Sequence, residues 1–195
     1  MIKIKNKFFF ILVFSMSLVV VLSNYLVQFP VDHFGLQDLL TYGAFSYPIA
    51  FLITDLSNRK YGKEIAKKIV YLGFILGVFF TLYFSTNYSD FISIRIAIGS
   101  GTAFLFAQLV DVNIFDKMRK KVWYLAPLVS SLVGSCIDTF LFFSISFYGT
   151  GINWLTLSIG DLMVKFFVAL IMLIPFRFLL GHINEISNVE KKISA

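Results

Sequence analysis

Four ionisable residues stand inside otherwise apolar stretches of this chain: Arg95, Asp138, Asp161 and Lys165. Asp138 interrupts the run SSLVGSCIDTFLFFSISF, residues 130–147, which contains no other charged residue. Asp161 and Lys165 are four residues apart, so they share one face of a helix. A carboxylate can accept two adjacent N–H groups of a ligand, and a lysine or arginine can donate to a carbonyl. These residue types predict either a polar binding site or ion pairs that hold helices together.

The composition indicates that these charges lie inside a membrane. Of the 195 residues, 58% are hydrophobic and 24 are Phe, and the mean hydropathy is +0.82. A soluble domain of this size does not need so much apolar surface. A helix needs about 20 apolar residues to cross ~30 Å of hydrocarbon. Such stretches occur at approximately 8–27, 39–57, 67–86, 92–110, 123–147 and 155–180.

We therefore predict an all-α integral membrane protein in which a single domain, residues 1–195, contains six transmembrane helices. The first stretch is too long for the core of a signal peptide, and no small-residue cleavage site follows it. We expect this helix to be retained. The single Cys excludes an intrachain disulfide and a cysteine metal cluster, and we expect no metal and no cofactor.

The positive charges predict the orientation of the helices. All but two of the 17 Lys and Arg residues precede helix 1, lie between helices 2 and 3 or between helices 4 and 5, or lie near the C-terminus. The opposite loops, QFPVDHFGLQD, NYSD and YGTGIN, contain none. Because cytoplasmic loops collect Lys and Arg, both termini should be cytoplasmic. Topology and anionic lipid headgroups then explain the net charge of +6 without a nucleic-acid partner.

The helical rise places the charges within the bilayer in its outer half. At ~1.5 Å per residue, Asp138 lies about 23 Å from the cytoplasmic end of helix 5, and Asp161 and Lys165 lie about 9 and 15 Å below the outer surface. Arg95 enters at the outer end of helix 4. A charge in hydrocarbon costs at least ~2.5 to 3.5 kcal/mol, so such side chains face the bundle interior. Asp138 could instead only pair with Arg95 or Lys165, and Asp161 and Lys165 could only neutralise each other.

A second polar group lies toward the cytoplasmic end of the bundle. Asp55 lies about 24 Å below the outer end of helix 2, and Gln108 and Asp111 close helix 4. Asp55 and Asp111 could pair with the basic loops as ordinary boundary residues. They could also form a cytoplasmic gate or a proton-linked carboxylate. The sequence leaves both interpretations open.

Three segments resemble the signature blocks of the queuosine-precursor transporter family, once grouped as vitamin uptake transporters. They read YPIAFLITDLSNRKYGKEIAKK, RIAIGSGTAFLFAQLVDVNIFDKMR and WYLAPLVSSLVGSCIDTFLFFSISFYG, and they cover somewhat under half of the chain. The residues that match the family pattern are Pro48, Thr54, Asp55, Asn58, Tyr61, Gly62, Arg95, Ser100, Gln108, Asp111, Phe115, Trp123, Ser131, Gly134, Asp138, Thr139 and Phe147.

The resemblance implies a transporter that imports a 7-deazaguanine, either a queuosine precursor or the salvaged base, across the bacterial inner membrane. It also implies a fold similar to the substrate-binding subunits of energy-coupling-factor vitamin transporters. The expected partners are this small molecule and membrane lipids, and a homo-oligomer stays open. With the buried charges, the resemblance implies a substrate site of Asp138, Asp161, Lys165, Arg95, Ser131 and Thr139. The implied gating or coupling residues are Asp55, Asn58, Gln108 and Asp111.

A guanine-like ring fits these residue types. It presents N1–H and an exocyclic amine side by side, which Asp138 or Asp161 could accept. Lys165 or Arg95 could donate to the ring carbonyl, and an aromatic side chain could stack on the flat ring.

Two alternative functions stay open: a substrate-binding subunit of a multi-subunit vitamin or nucleobase transporter, and a structural membrane subunit. Substrate-binding subunits that dock on a shared coupling module often have small-x-x-x-small spacing on their first helix. Predicted helix 1 has only scattered Ser, which favours a stand-alone carrier. The chain contains neither G-x-S-x-G nor the phosphate loop G-x-x-x-x-G-K-[ST], so its motifs do not predict an enzyme or an ATPase.

The charge asymmetry generates a prediction about topology. A reporter fused after Ala195 should be active if it works in the cytoplasm and inactive if it requires export. The reason is that the C-terminal segment and its lysines are expected to be cytoplasmic. Paired cytoplasmic and periplasmic reporters at this position measure the outcome. Activity of the periplasmic reporter would contradict the arrangement with six spans.

Overall fold

The structure, a computed structural model, describes residues 7–27, 29–33, 40–84 and 91–193. These residues form six helices: α1 Lys7–Leu26, α2 Gly43–Tyr61, α3 Lys63–Phe84, α4 Phe91–Met118, α5 Leu125–Phe147 and α6 Trp154–Ile193. Four segments are long and apolar enough to cross a membrane: Lys7–Leu26, Ile94–Met118, Leu125–Phe147 and Trp154–Gly181. The all-α prediction is confirmed. Membrane crossing by α2 and α3 stays a prediction.

Several helices extend beyond their predicted bounds. α3 begins at Lys63 instead of 67, α4 continues to Met118 instead of 110, and α6 continues to Ile193 instead of 180. Hydropathy marks only the apolar part of a helix, whereas Lys, Glu and Arg are good helix formers that continue it into water. Two helices begin later than predicted: α2 at Gly43 instead of 39, since the described residues 40–42 are not helical, and α5 at Leu125 instead of 123. Residue 39 itself and the predicted end of helix 3 at 86 lie outside the described residues.

The break between α2 and α3 is made by Gly62. Its φ is +83°, a conformation that favours glycine, and its N–H donates to the Asn58 carbonyl at 2.8 Å. α3 starts at the next residue, so the chain reverses with almost no loop.

α2 lies at the centre of the bundle, where it packs against each of the other five helices. Its buried residues include Ser46, Thr54, Asp55, Ser57 and Asn58. Because protein covers these side chains, they can find polar partners and do not meet lipid. This position explains why α2 is too polar to qualify as a span by hydropathy alone.

Large apolar side chains cover the outside of the bundle. Phe14 on α1, Phe79 on α3 and Ile174 on α6 are 68%, 60% and 72% exposed. An apolar surface of this kind is unfavourable in water but suits contact with lipid. The packing therefore agrees with a multi-pass membrane protein.

Glycines allow α3 to approach α1 closely. Gly73 and Gly77 are four residues apart on α3, the small-x-x-x-small spacing of close membrane helix pairs. A Cβ atom at Gly77 would lie 2.6 Å from Val20 Cβ and 3.3 Å from the Ser17 carbonyl oxygen. Any larger residue would push the two helices apart.

Gly77→Ala should therefore destabilise the bundle by about 1 to 3 kcal/mol, the usual range for overpacking. Gly181→Ala is the matched control, because a Cβ at this α6 position meets nothing within 4 Å. It makes the same change in helix propensity without a clash. Thermal unfolding of both variants in detergent measures the effect. Equal melting temperatures for Gly77→Ala and the unsubstituted protein would contradict close α1–α3 packing.

Candidate functional site

A buried lysine joins two aspartates between α5 and α6. Lys165 Nζ donates to Asp138 Oδ2 at 2.7 Å and lies 2.5 Å from Asp161 Oδ2. Thr139 Oγ1 accepts from Lys165 at 3.1 Å and donates to Asp161 Oδ2 at 2.7 Å. Asp138, Asp161 and Lys165 are only 2%, 7% and 2% exposed. We call these four residues the ion-pair cluster.

The cluster follows from helix geometry. Asp161 and Lys165 are one turn apart on α6, and Asp138 and Thr139 project from the facing part of α5. A buried charge is tolerated only when it is paired and hydrogen-bonded. With two carboxylates and one ammonium group, the cluster has a formal charge of −1.

Hydrogen bonds and a ring contact extend from the cluster to the other four helices. The Lys165 ammonium group lies 5.0 Å from the centre of the Tyr47 ring. The Tyr47 hydroxyl hydrogen-bonds Ser100 Oγ at 2.7 Å, Ser100 donates to Asn24 Oδ1 at 2.8 Å, and Asn24 Nδ2 donates to Thr81 at 3.2 Å. Side chains from all six helices therefore belong to one polar network.

An open aromatic cleft borders the cluster; its empty space, counted together with the adjoining solvent, is about 380 Å³. It is lined by Val27, Leu40, Thr41, Ile96, Phe142, Phe143, Phe147, Leu157 and Asp161. Asp161 is the charged member of this lining. Small-molecule sites are usually concave and lined by apolar and aromatic side chains with a few polar groups, and this cleft has such a lining.

Arg95 and Ser131 lie apart from the cluster. Arg95 donates to the Ile145 carbonyl at 2.7 and 3.0 Å and to the Tyr148 carbonyl at 2.8 Å, so it ties the start of α4 to the end of α5. Ser131 lies two turns before Asp138 on α5 and lines a small cavity with Asp55. Their assignment to substrate binding stays a prediction.

The predicted gating or coupling residues contain a buried pair of carboxyl groups. Asp55 on α2 and Asp111 on α4 are 2% and 0% exposed, and their carboxyl groups are near enough to affect each other's charge. Ser130 of α5 donates to Asp55 Oδ1 at 3.2 Å. Arg59, four residues after Asp55, instead donates to the Arg119 carbonyl at 2.5 Å. We call Asp55 and Asp111 the carboxyl pair.

Polar contacts between α2 and α4 flank this pair. Thr54 donates to Gln108 Oε1, and Asn58 Nδ2 donates to the Val112 carbonyl at 2.8 Å. The structure therefore brings the four predicted residues to one region of the α2–α4 interface. Their role in gating or coupling stays a prediction.

Sequence reasoning did not single out several residues of these sites. Tyr47 directly precedes Pro48 of the first family block, and Ser130 directly precedes Ser131 of the third. The aromatic lining could not be selected among 24 Phe residues, because only packing decides which of them share a cavity.

Paired charges buried in a helical membrane bundle, beside a cleft with an aromatic lining, are features of a membrane transporter. The family comparison agrees, since the model described as "Putative vitamin uptake transporter" matches residues 41–180. The chain belongs to this family.

Named relatives have similar sequences over most of their length. The "Queuosine precursor transporter" of Escherichia coli K12 is 32% identical over 177 residues, which cover 81% of this chain and 79% of the relative. The "Probable queuosine precursor transporter" of Haemophilus influenzae is 32% identical, covering 80% and 79%. The protein of the same description from Bacillus subtilis is 33% identical, covering 81% and 78%. No solved structure matches the chain.

The charge of the ion-pair cluster predicts unequal effects of neutralising its members. Lys165→Met leaves two buried carboxylates without their cation and should cost about 3 to 5 kcal/mol of stability. Asp138→Asn leaves Lys165 paired with Asp161 and should cost clearly less. Thermal unfolding of the purified variants measures both. A Lys165→Met protein as stable as Asp138→Asn would show that the ammonium group does not compensate both carboxylates.

Proposed function

We propose that this protein imports queuosine precursors, which are 7-deazaguanines, across the bacterial inner membrane. The single observation that carries the proposal is the aromatic cleft bordered by Asp161 of the ion-pair cluster. The family and the names of the three relatives support the same substrate. The distribution of Lys and Arg supports six spans with cytoplasmic termini. We propose that this six-span bundle resembles the substrate-binding subunits of energy-coupling-factor transporters, as the family resemblance implies.

The cleft suits a flat heterocycle with two adjacent donors. Phe142 and Phe143 meet edge to face, with ring centres 5.0 Å apart, and Phe147 packs against both. These faces stack on the ring system, as aromatic side chains do in base-binding sites. Asp161 accepts the ring N1–H and the exocyclic amine in a charge-assisted pair.

Lys165 positions this carboxylate. An ammonium group has three N–H donors, and Lys165 directs them at Asp138, Thr139 and Asp161. The contacts of Asp161 with Lys165 and Thr139 both use Oδ2. Both lone pairs of Oδ2 are thus used, so Oδ1 is the oxygen that accepts from the ring N1–H and the exocyclic amine.

Asp161→Asn should weaken binding of a 7-deazaguanine by roughly 10- to 150-fold, because a charged hydrogen bond is lost and an amide donor faces a ligand donor. Asp138→Asn is the matched control. It also removes one carboxylate from the cluster and leaves a balanced pair, but Asp138 does not line the cleft. Its loss of affinity should be smaller.

Equilibrium binding to the purified proteins, measured beside their melting temperatures, tests this assignment. Native-like binding by a stable Asp161→Asn protein would remove Asp161 from the substrate site. Uptake of labelled 7-deazaguanines by cells that cannot make queuosine, with and without this protein, tests the function itself. Equal uptake by both strains would overturn it.

A further inference from the structure

We infer that the carboxyl pair is a proton-binding site and that one proton, carried inward with each substrate, drives uptake. This inference rests on the proposed function and adds the source of energy, which neither the family description nor the names of the relatives state. It uses groups outside the substrate cleft. Its basis is the balance of charges and hydrogen-bond donors in the bundle interior.

The described interior contains more acids than bases. Asp55, Asp111, Asp138 and Asp161 are each at most 7% exposed, and the buried Lys165 pairs with two of them. The Nζ atom of Lys60 is also buried, but it lies over the Phe8 ring. The ion-pair cluster uses all three donors of this ammonium group. Asp55 and Asp111 therefore need another source of positive charge.

The carboxyl pair has the charge and the surroundings of a proton-binding site. Two neighbouring carboxylates inside a low-dielectric interior repel each other, so a doubly ionised pair binds one proton strongly. Both oxygens of Asp111 are buried, and among the described residues neither accepts a hydrogen bond of good geometry, although the Ser130 hydroxyl lies nearby. A proton on one carboxyl group supplies a donor that the other accepts. One proton thus removes a like-charge contact and fills the missing hydrogen bond.

The groups packed around the pair do not replace this proton. α5 offers the hydroxyl groups of Ser130 and Ser131, whereas α6 borders the cavity beside Asp55 with apolar residues that include Met172 and Leu173. Arg59, on α2 itself, is directed to the Arg119 carbonyl.

A buried acceptor on Asn58 is a second indication that a hydrogen-bond donor, such as a proton, binds near the carboxyl pair. It lies one turn after Asp55, is fully buried, and has its amide nitrogen on the Val112 carbonyl next to Asp111. Its Oδ1 is an acceptor without a partner in the described part of the chain. Acceptors of this kind suit a site that receives a proton or a protonated water.

Two hydroxyl groups of α5 lie between the levels of the two sites. Ser131, Ser135 and Asp138 follow one face of α5, and Asp138 lies about 10 Å from the level of Ser131. Ser135 Oγ is buried between them and has no hydrogen-bond partner among the described residues. The ion-pair cluster and the carboxyl pair therefore lie along the same polar face of α5.

The transport cycle that follows is balanced. A proton from the outer solution binds the ionised carboxyl pair, the substrate binds at Asp161, and both leave on the cytoplasmic side. The pair then returns ionised. No covalent bond to the substrate forms or breaks.

Purified protein in liposomes tests this inference with a labelled 7-deazaguanine. Substrate counterflow should occur without any gradient, and an inward pH gradient of about one unit, with the membrane potential clamped at zero, should give roughly tenfold accumulation. Asp55→Asn and Asp111→Asn should keep counterflow but lose this gradient-driven accumulation. Asp116→Asn is the control, because this α4 carboxylate lies near the surface and pairs with Arg119.

The outcomes separate the two proposals. Without counterflow by the unsubstituted protein, the proposed function fails. Counterflow without a response to the pH gradient, or accumulation driven by a sodium gradient instead, overturns the proton site alone. Proton entry reported by a dye trapped in the liposomes must accompany substrate entry, which tests the unsubstituted protein without relying on any variant. Retained accumulation by a folded Asp111→Asn protein would also overturn the inference.

Discussion

The burial of one ammonium group between two carboxylates constrains the rest of this bundle. A lysine in the interior of a membrane protein is stable only while its partners stay in place, because an unpaired buried charge costs several kcal/mol. Lys165 therefore fixes how α6 faces α5, through Asp138 and Thr139. Its contact with the Tyr47 ring carries the same constraint to α2, and the hydroxyl and amide groups beyond Tyr47 carry it to α4, α1 and α3.

The polar interior explains the apolar exterior. α2 can hold Asp55 and Asn58 because five helices cover it, and those helices direct large apolar side chains outward. The hydrophobic effect does not drive helices together within lipid, so close packing and interior hydrogen bonds must do so. Gly73 and Gly77 serve the first purpose at the α1–α3 contact, and the network around Lys165 serves the second.

The sequence predicted the membrane class, six helices and the Asp161–Lys165 neighbours, because hydropathy and a spacing of four residues are local properties. It could not choose between Arg95 and Lys165 as the partner of Asp138. That choice depends on how α4 is rotated and on the Tyr148 carbonyl, which becomes an acceptor for Arg95 where α5 ends. It also could not assemble the cleft, since Phe142, Phe143 and Leu157 meet only through tertiary packing. The helix ends were missed where charged residues continue a helix past its apolar part.

Two polar sites at different depths share the same helices, and this has a mechanical consequence. α2 contributes Tyr47 to the network around Lys165 and Asp55 to the carboxyl pair, and α5 contributes Asp138 and Ser130 to the same two places. A shift of α2 against α5 therefore cannot change one site without changing the other. The two sites also share the charge of the interior, since the ion-pair cluster keeps one excess carboxylate near the cleft and the carboxyl pair is the proposed proton site. Sharing α2 and α5 is enough to couple the two sites. The substrate and the proton each stabilise the helix arrangement in which their own site is complete.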